Sequence, residues 1–191
     1  MIRSSQHPLK YSNSGKKETL LALIHEYRRF CQVLVDDIWE NGIPEWGFFP
    51  KKNKIEGLKG HLPLGYMNRF PTWLSARMKQ SVSAMVTAHL SSSTEKRRMQ
   101  LWKLRELQRA GLQTKYLQSK IDRQPLVKPS FSKINPELDS RFVDFKKGSK
   151  KFEFLRISSI GNRAKIKVPL PETKISRKLV VVSTFPLRLC R

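Results

Sequence analysis

Apolar side chains recur every three or four positions between about residues 16 and 40. This spacing keeps side chains on one face of an α-helix, so it predicts a long amphipathic helix that packs against a core or a partner helix. Asn41-Gly42 follows, and a glycine there is typical of a helix end. The apolar positions of this face are Leu20, Ile24, Tyr27, Cys31, Leu34 and Ile38.

The middle of the chain predicts two further helices, over about 72–90 and 94–121. The run Ser91-Ser92-Ser93-Thr94 predicts a break between these two helices. Ser92 and Glu95, three positions apart, have the spacing of a capping box at the start of the second one. Gly111 is a place where the second helix bends or splits. The apolar positions of this helix have mostly helical spacing, which predicts a seam: Met99, Trp102, Leu107, Leu112, Tyr116, Leu117 and Ile121.

Beyond a connector marked by Gln124-Pro125, Pro129 and Asn135-Pro136, the period changes from helical to alternating. The short runs 142–145, 152–158 and 165–170 predict a three-strand antiparallel meander. In the last run Lys165 and Lys167 point to the face opposite the apolar positions, which are Ile166, Val168 and Leu170. The first residues, 1–13, predict an extended strand and a turn. Helices followed by an antiparallel meander predict an α+β fold.

A Gly- and Pro-rich segment, 42–71, joins the first two predicted helices. Its aromatic residues distinguish it from a disordered linker, since disordered segments have few aromatics to bury. They are expected to anchor the loop on the core, and they are Trp46, Phe48, Phe49, Tyr66 and Phe70.

The charge of the chain is strongly one-sided. Lys and Arg number 38 against 15 Asp and Glu, a formal net charge of +23. Residues 1–40 are electrically mixed, whereas 94–128 hold ten cations against three acids and 141–178 hold twelve against three. A polyanion relieves the repulsion within such a field, and nucleic acid is the commonest one.

Several classes of chemistry are not predicted. The acidic residues are scattered, and the one adjacent pair, Asp36-Asp37, points in two directions on a helix, so no two-metal or acid–base centre is expected. The 2 cysteines, Cys31 and Cys190, are too far apart for a CxxC zinc site, and no phosphate-binding glycine loop occurs. The expectation is a cytoplasmic protein without enzymatic activity, cofactor or membrane contact.

Three segments resemble the TnpB (OrfB) proteins of small insertion sequences, relatives of type V CRISPR effectors. The first is Leu23-Ile24-His25-Glu26-Tyr27-Arg28-Arg29-Phe30, and the second is Leu138-Asp139-Ser140-Arg141-Phe142-Val143-Asp144-Phe145. The sharpest match is Phe152-Glu153-Phe154-Leu155-Arg156-Ile157-Ser158-Ser159-Ile160-Gly161, which runs into Lys165-Ile166-Lys167-Val168-Pro169-Leu170.

The resemblance implies a wedge-like antiparallel β-barrel, built from a first strand in 1–15 and the meander in 129–175. A helical recognition-type domain, 16–128, would interrupt it, and together they would hold a guide RNA and its heteroduplex with DNA. The family continues with a RuvC-like nuclease and usually a zinc finger. This sequence departs there, so 176–191 is expected to be an irregular tail that marks a truncation.

The resulting prediction is a nucleic-acid-binding fragment of a TnpB-like transposon-encoded protein that lacks its nuclease centre. Two alternatives stay open: a free-standing structural RNA-binding protein of the ribosome-associated type, and one half of a split nuclease whose second chain carries the RuvC-like domain. For Arg28 and Arg29, a polar outer helix face is a further alternative. The predicted contacts to guide RNA and DNA are Arg28, Arg29, Arg97, Arg98, Lys103, Lys147, Lys151, Arg163, Lys165 and Lys167.

Overall fold

The computed structural model describes residues 12–138, 141–147, 152–162, 165–171 and 187–188, and these form an α+β fold, as predicted. The helices are α1 (Ser14–Asn41), α2 (Leu64–Met67), α3 (Ala76–Arg109) and α4 (Lys115–Arg123). The strands are β1 (Glu137–Leu138), β2 (Val143–Lys147), β3 (Phe152–Ile157), β4 (Ile166–Pro171) and β5 (Leu187–Arg188). In this part of the chain, no helix combines the length and apolar character that a membrane span requires.

Helix α1 confirms the helix predicted from the apolar spacing, and every position of its predicted apolar face is buried. At its start, the side chain of Asn13 accepts a hydrogen bond from the Lys16 N–H at 3.1 Å, which satisfies a free donor of the first turn. At its end, Gly42 has φ +73, and its N–H donates to the Ile38 carbonyl at 2.9 Å. The helix therefore ends where Asn41-Gly42 predicted.

Helix α3 is continuous through Ser91-Ser92-Ser93-Thr94, so the predicted break there is wrong. Two of these hydroxyls donate to a carbonyl one turn back: Ser93 Oγ lies 3.0 Å and Thr94 Oγ1 2.8 Å from the Leu90 oxygen. Such bonds satisfy the hydroxyls within the helix and remove the reason for a break. The chain instead turns at Gly111, with φ +66, and α4 follows as a separate helix, which confirms the predicted split.

Strands β2, β3 and β4 form the predicted antiparallel meander in that order. Leu155 of β3 lies opposite both Phe145 of β2 and Val168 of β4. The predicted alternation of β4 is confirmed, because its apolar positions are buried while Lys165 and Lys167 are exposed. On β3 and β4 the face with Leu155 and Val168 is thus buried and the face with Lys167 is exposed, whereas Phe145 on the edge strand β2 is 50% exposed.

The three-strand sheet is open within the residues that the structure describes, so the implied β-barrel is not supported. Closure requires the edge strands β2 and β4 to pair further, and in the described residues each pairs with β3 alone. β1 and β5 form a separate two-strand ladder. Most of the predicted first strand, 1–11, and most of the predicted tail lie outside the described residues.

The chain divides into two compact units, and each is assembled from separate segments. The first contains Met1–Arg28, Thr72–Ser81 and Ile134–Arg191, and the second contains Arg29–Pro71 and Val82–Lys133. Both α1 and α3 therefore contribute residues to both units.

In the first unit, the residues before α3 are joined to the meander. The Ser75 N–H donates to the Ile160 carbonyl at 3.0 Å, and Leu74 forms a β-bridge with Gly161. Gly161 has φ +135, and a Cβ there would lie 2.1 Å from the Trp73 carbonyl oxygen. Only glycine fits this approach, which fixes the end of β3 against the start of α3.

In the second unit, the Gly- and Pro-rich segment packs on α3 as an ordered loop. Its aromatic anchors Phe48 and Tyr66 are buried. The Leu62 N–H donates to Ser83 Oγ at 2.5 Å, and Thr87 Oγ1 donates to the Gly60 carbonyl at 2.8 Å. These bonds hold the loop along the helix that carries the basic residues.

Candidate nucleic-acid interface

Arg28 is half-buried in the first unit and holds the connector that precedes the meander. Its Nε donates to the Ile134 carbonyl at 2.6 Å, and one terminal nitrogen donates to Asn135 Oδ1 at 2.9 Å. Arg29, in the second unit, is exposed and donates to the Pro71 carbonyl at 2.8 Å. These bonds of Arg28 serve the fold, and its contact to nucleic acid stays a prediction from the sequence.

Arg97 and Arg98 are neighbours on α3 with opposite environments. Arg97 is 5% exposed and donates to Asn53 Oδ1 at 2.9 Å and to the Gln124 carbonyl. Burial lowers the pKa of its guanidinium, and the same burial keeps it away from a phosphate. Arg98 is exposed and bonds both carboxylate oxygens of Glu95, at 2.7 and 3.1 Å.

The exposed face of α3 carries cations on both of its flanks. Lys96 and Lys103 lie seven positions apart, about two helical turns, so they share one flank. Within the described chain neither lysine has an ion-pair or hydrogen-bond partner. The other flank carries the three arginines Arg98, Arg105 and Arg109.

Each arginine of that flank is paired with a carboxylate. Arg98 pairs with Glu95 at 2.7 Å, Arg109 pairs with Glu106 at 2.8 Å, and Arg105 pairs with Glu56 of the loop. The hydrogen bond from Arg98 holds the pKa of Glu95 below its ordinary value, and Arg105 does the same for Glu56. These arginines are already neutralised locally, whereas the lysine flank is not.

The predicted apolar seam of 94–121 is wrong at four of its positions. Met99 and Trp102 are 52% and 55% exposed, and Leu112 and Tyr116 are 59% and 81% exposed. Helical spacing alone does not say which face is buried, and Met99 and Trp102 share the face of Glu95 and Glu106. That shared face was the signal in the sequence that pointed to exposure.

The solvent face of the meander is a second basic surface, and it belongs to the first unit. Asp144, Arg156 and Lys167 lie in one cross-strand row, and Arg156 pairs with Asp144 at 2.7 Å. In the adjacent row, Phe154 of β3 lies opposite Lys146 of β2 and Pro169 of β4. Lys165 and Lys167 are exposed there, and neither has a polar partner among the residues described.

The structure does not describe the side chains of three predicted contact residues. Lys151 and Arg163 lie outside the described residues, and for Lys147 the structure describes the backbone, as the last residue of β2. Their role stays a prediction from the sequence.

The adjacent acids Asp36 and Asp37 make separate contacts in the second unit. Asp36 accepts from Gln32 at 2.8 Å and pairs with Lys128 at 2.9 Å, while Asp37 accepts from Tyr66. Across the ranges that the structure describes, no group of three or more His, Cys, Asp and Glu side chains is placed to hold a metal ion.

The chain was compared with known proteins at the level of family, sequence and fold. No protein-family model matches it, and no curated protein or solved structure matches it either. The function is therefore inferred from the residues and surfaces of this chain.

Proposed function

We propose that the chain binds RNA and DNA through their backbone phosphates, as a TnpB-like fragment without its own nuclease centre. The observation that carries the proposal is the set of exposed cations on α3 and α4 that pair with no carboxylate among the described residues. Polyanion binding releases condensed counterions, and it is the ordinary use of such a surface. These uncompensated cations are Lys96, Lys103, Lys115, Lys120 and Arg123.

The solvent face of the meander supports the same proposal independently. Lys167 of β4 and Lys165, one position before this strand, are exposed, and Lys146 is exposed on β2 of the same sheet. An open sheet with a basic outer face offers phosphates a flat surface, and this surface does not require a closed barrel.

The link to TnpB-like proteins rests on the sequence resemblance, which falls mainly on 138–170. In this proposal the RNA is guide-type and derived from a transposon, and the protein works in the cytoplasm. The scattered acids support a binding role rather than hydrolysis by this chain, because phosphodiester cleavage by metal ions needs converging carboxylates.

The salt dependence of RNA affinity tests the phosphate-binding proposal. The affinity of the protein for RNA should fall steeply as salt rises, and Lys96→Ala with Lys103→Ala should lower the log–log slope by about two. Lys16→Ala with Lys17→Ala removes the same charge from the first turn of α1 and is the matched control. A flat salt dependence, or equal effects of both double variants, would contradict the assignment to α3.

The RNA that accompanies the protein in its own cell separates the proposal from its alternatives. Sequencing RNA that co-purifies with the tagged full chain should recover a transcript from the end of a transposon. Recovery of ribosomal RNA instead would favour the structural RNA-binding alternative. Co-purification of a second chain bearing a RuvC-like domain would favour the split nuclease.

A further inference from the structure

Helix α3 carries an exposed pair of large side chains that phosphate binding does not use. Met99 and Trp102, 52% and 55% exposed, lie three positions apart and are therefore neighbours on the helix surface. A contiguous exposed apolar patch rimmed by polar residues marks a binding surface more often than a single exposed residue does.

The pair lies directly beside the uncompensated lysines. Met99 follows Lys96 by three positions and precedes Lys103 by four. It is therefore a neighbour of both lysines, as well as of Trp102, on the helix surface. Around the helix, the lysine flank is thus followed by Met99, then by Trp102 and then by the paired arginines. All of these residues belong to the second unit.

From this arrangement we infer that Met99 and Trp102 form a stacking site for an unpaired base of single-stranded RNA. The phosphates on either side of that base lie against Lys96 and Lys103. This inference rests on the proposed function and deepens it, because it names the strandedness of the ligand. A base in a duplex has both faces covered, whereas an unpaired base offers a π-face of any sequence to an indole ring.

The charge of the chain argues against a second copy as the occupant. Two copies would each bring a net charge of +23, and each would bring the uncompensated Lys96 and Lys103 to the contact. A nucleic-acid strand supplies a planar ring for the exposed pair and phosphates for the uncompensated lysines, whereas Glu95 and Glu106 on this face already pair with arginines.

A pair of oligonucleotides with equal numbers of phosphates tests the stacking. A uridine octamer should bind the wild-type protein about tenfold more tightly than an octamer of abasic residues. Trp102→Ala should abolish this preference, and Trp102→Phe should retain most of it, because a phenyl ring still stacks. Lys96→Ala with Lys103→Ala should weaken both ligands equally and leave the preference intact.

Leu21→Ala is the matched control for removal of an exposed apolar side chain, since Leu21 is 42% exposed on α1. It should leave the preference unchanged, and all variants should melt near the wild-type temperature. Equal affinity of the wild type for both octamers would overturn the stacking site and leave phosphate binding standing. Absence of binding to either octamer would overturn both, and loss of a dimer in Trp102→Ala would show that a second copy occupies the face.

Discussion

The guanidinium of Arg28 on α1 donates to Asn135 Oδ1 at 2.9 Å, across 107 positions of sequence. Together with its bond to the Ile134 carbonyl, this contact ties the middle of the helix to the segment that leads into the meander. Lysine has no planar fork with which to make both bonds, so arginine is required here.

Arg28→Ala should lower the free energy of unfolding by about 1–3 kcal/mol, because a half-buried carbonyl and amide lose their charged donor. Arg29→Ala, one position later and exposed, should cost less than about 1 kcal/mol. Urea unfolding monitored by circular dichroism gives both values. Equal costs at the two positions would contradict the structural role of Arg28.

The two faces of β4 should respond differently to substitution. Val168 is 1% exposed, so Val168→Asp buries an unpaired carboxylate and should cost several kcal/mol, enough to unfold the first unit. Lys165→Ala with Lys167→Ala should leave the urea midpoint unchanged and lower the salt slope of RNA binding by about two. A folded Val168→Asp protein would contradict the placement of this face.

Tyr66 should make stability depend on alkaline pH. It is 4% exposed, and burial together with its hydrogen bond to Asp37 raises the pKa of its phenol. The fold therefore favours the neutral phenol, and that stability is fully present below about pH 10, where the unfolded tyrosine ionises. Above that pH the unfolded chain loses its proton first, so the free energy of unfolding falls as pH rises.

Tyr66→Phe isolates this effect from the titration of lysines. The variant should lose about 1 kcal/mol at neutral pH, because it lacks the bond to Asp37. Above about pH 10, its free energy of unfolding should fall less steeply than that of the wild type. Parallel pH profiles for the two proteins would rule out a raised pKa at Tyr66.

Cys31 should be inert to thiol reagents while the protein is folded. Its side chain is 0% exposed, and burial raises the pKa of the thiol, which disfavours the reactive thiolate. In a Cys190→Ser background, Cys31 is the remaining cysteine of the chain. Labelling should then be slow in buffer and rapid in urea, and fast labelling of the native protein would contradict burial of the α1 face.

The spacing of apolar residues predicted those helices and strands in which one period, helical or alternating, is repeated without interruption. The spacing in α1 and the alternation in β4 each determine which side chains face the core, and the structure confirms both. The continuity of α3 could not be read this way. Whether Ser93 and Thr94 end a helix or bond back to Leu90 depends on the burial of that face, which is a tertiary property.

The candidate interface was harder to predict than the fold, because the positive charge of a side chain does not show whether that side chain is buried or exposed. Arg97 and Arg98 are adjacent residues of the same type, yet only Arg97 is buried. Its contacts are to Asn53 and Gln124, which are remote in sequence. Likewise, the spacing of Met99 and Trp102 is the same for a core seam and for an exposed face. Long-range packing decides the first case, and in the second the acids Glu95 and Glu106 on the shared face were the one indication of exposure.

The segmental composition of the two units has a consequence for synthesis on the ribosome. The second unit is complete once Lys133 has been translated, whereas the first also needs Ile134–Arg191. The acceptors that Arg28 uses, Ile134 and Asn135, are the first residues of that late segment. Arg28, midway along α1, therefore lacks these two acceptors in the nascent chain until the last third of the protein emerges.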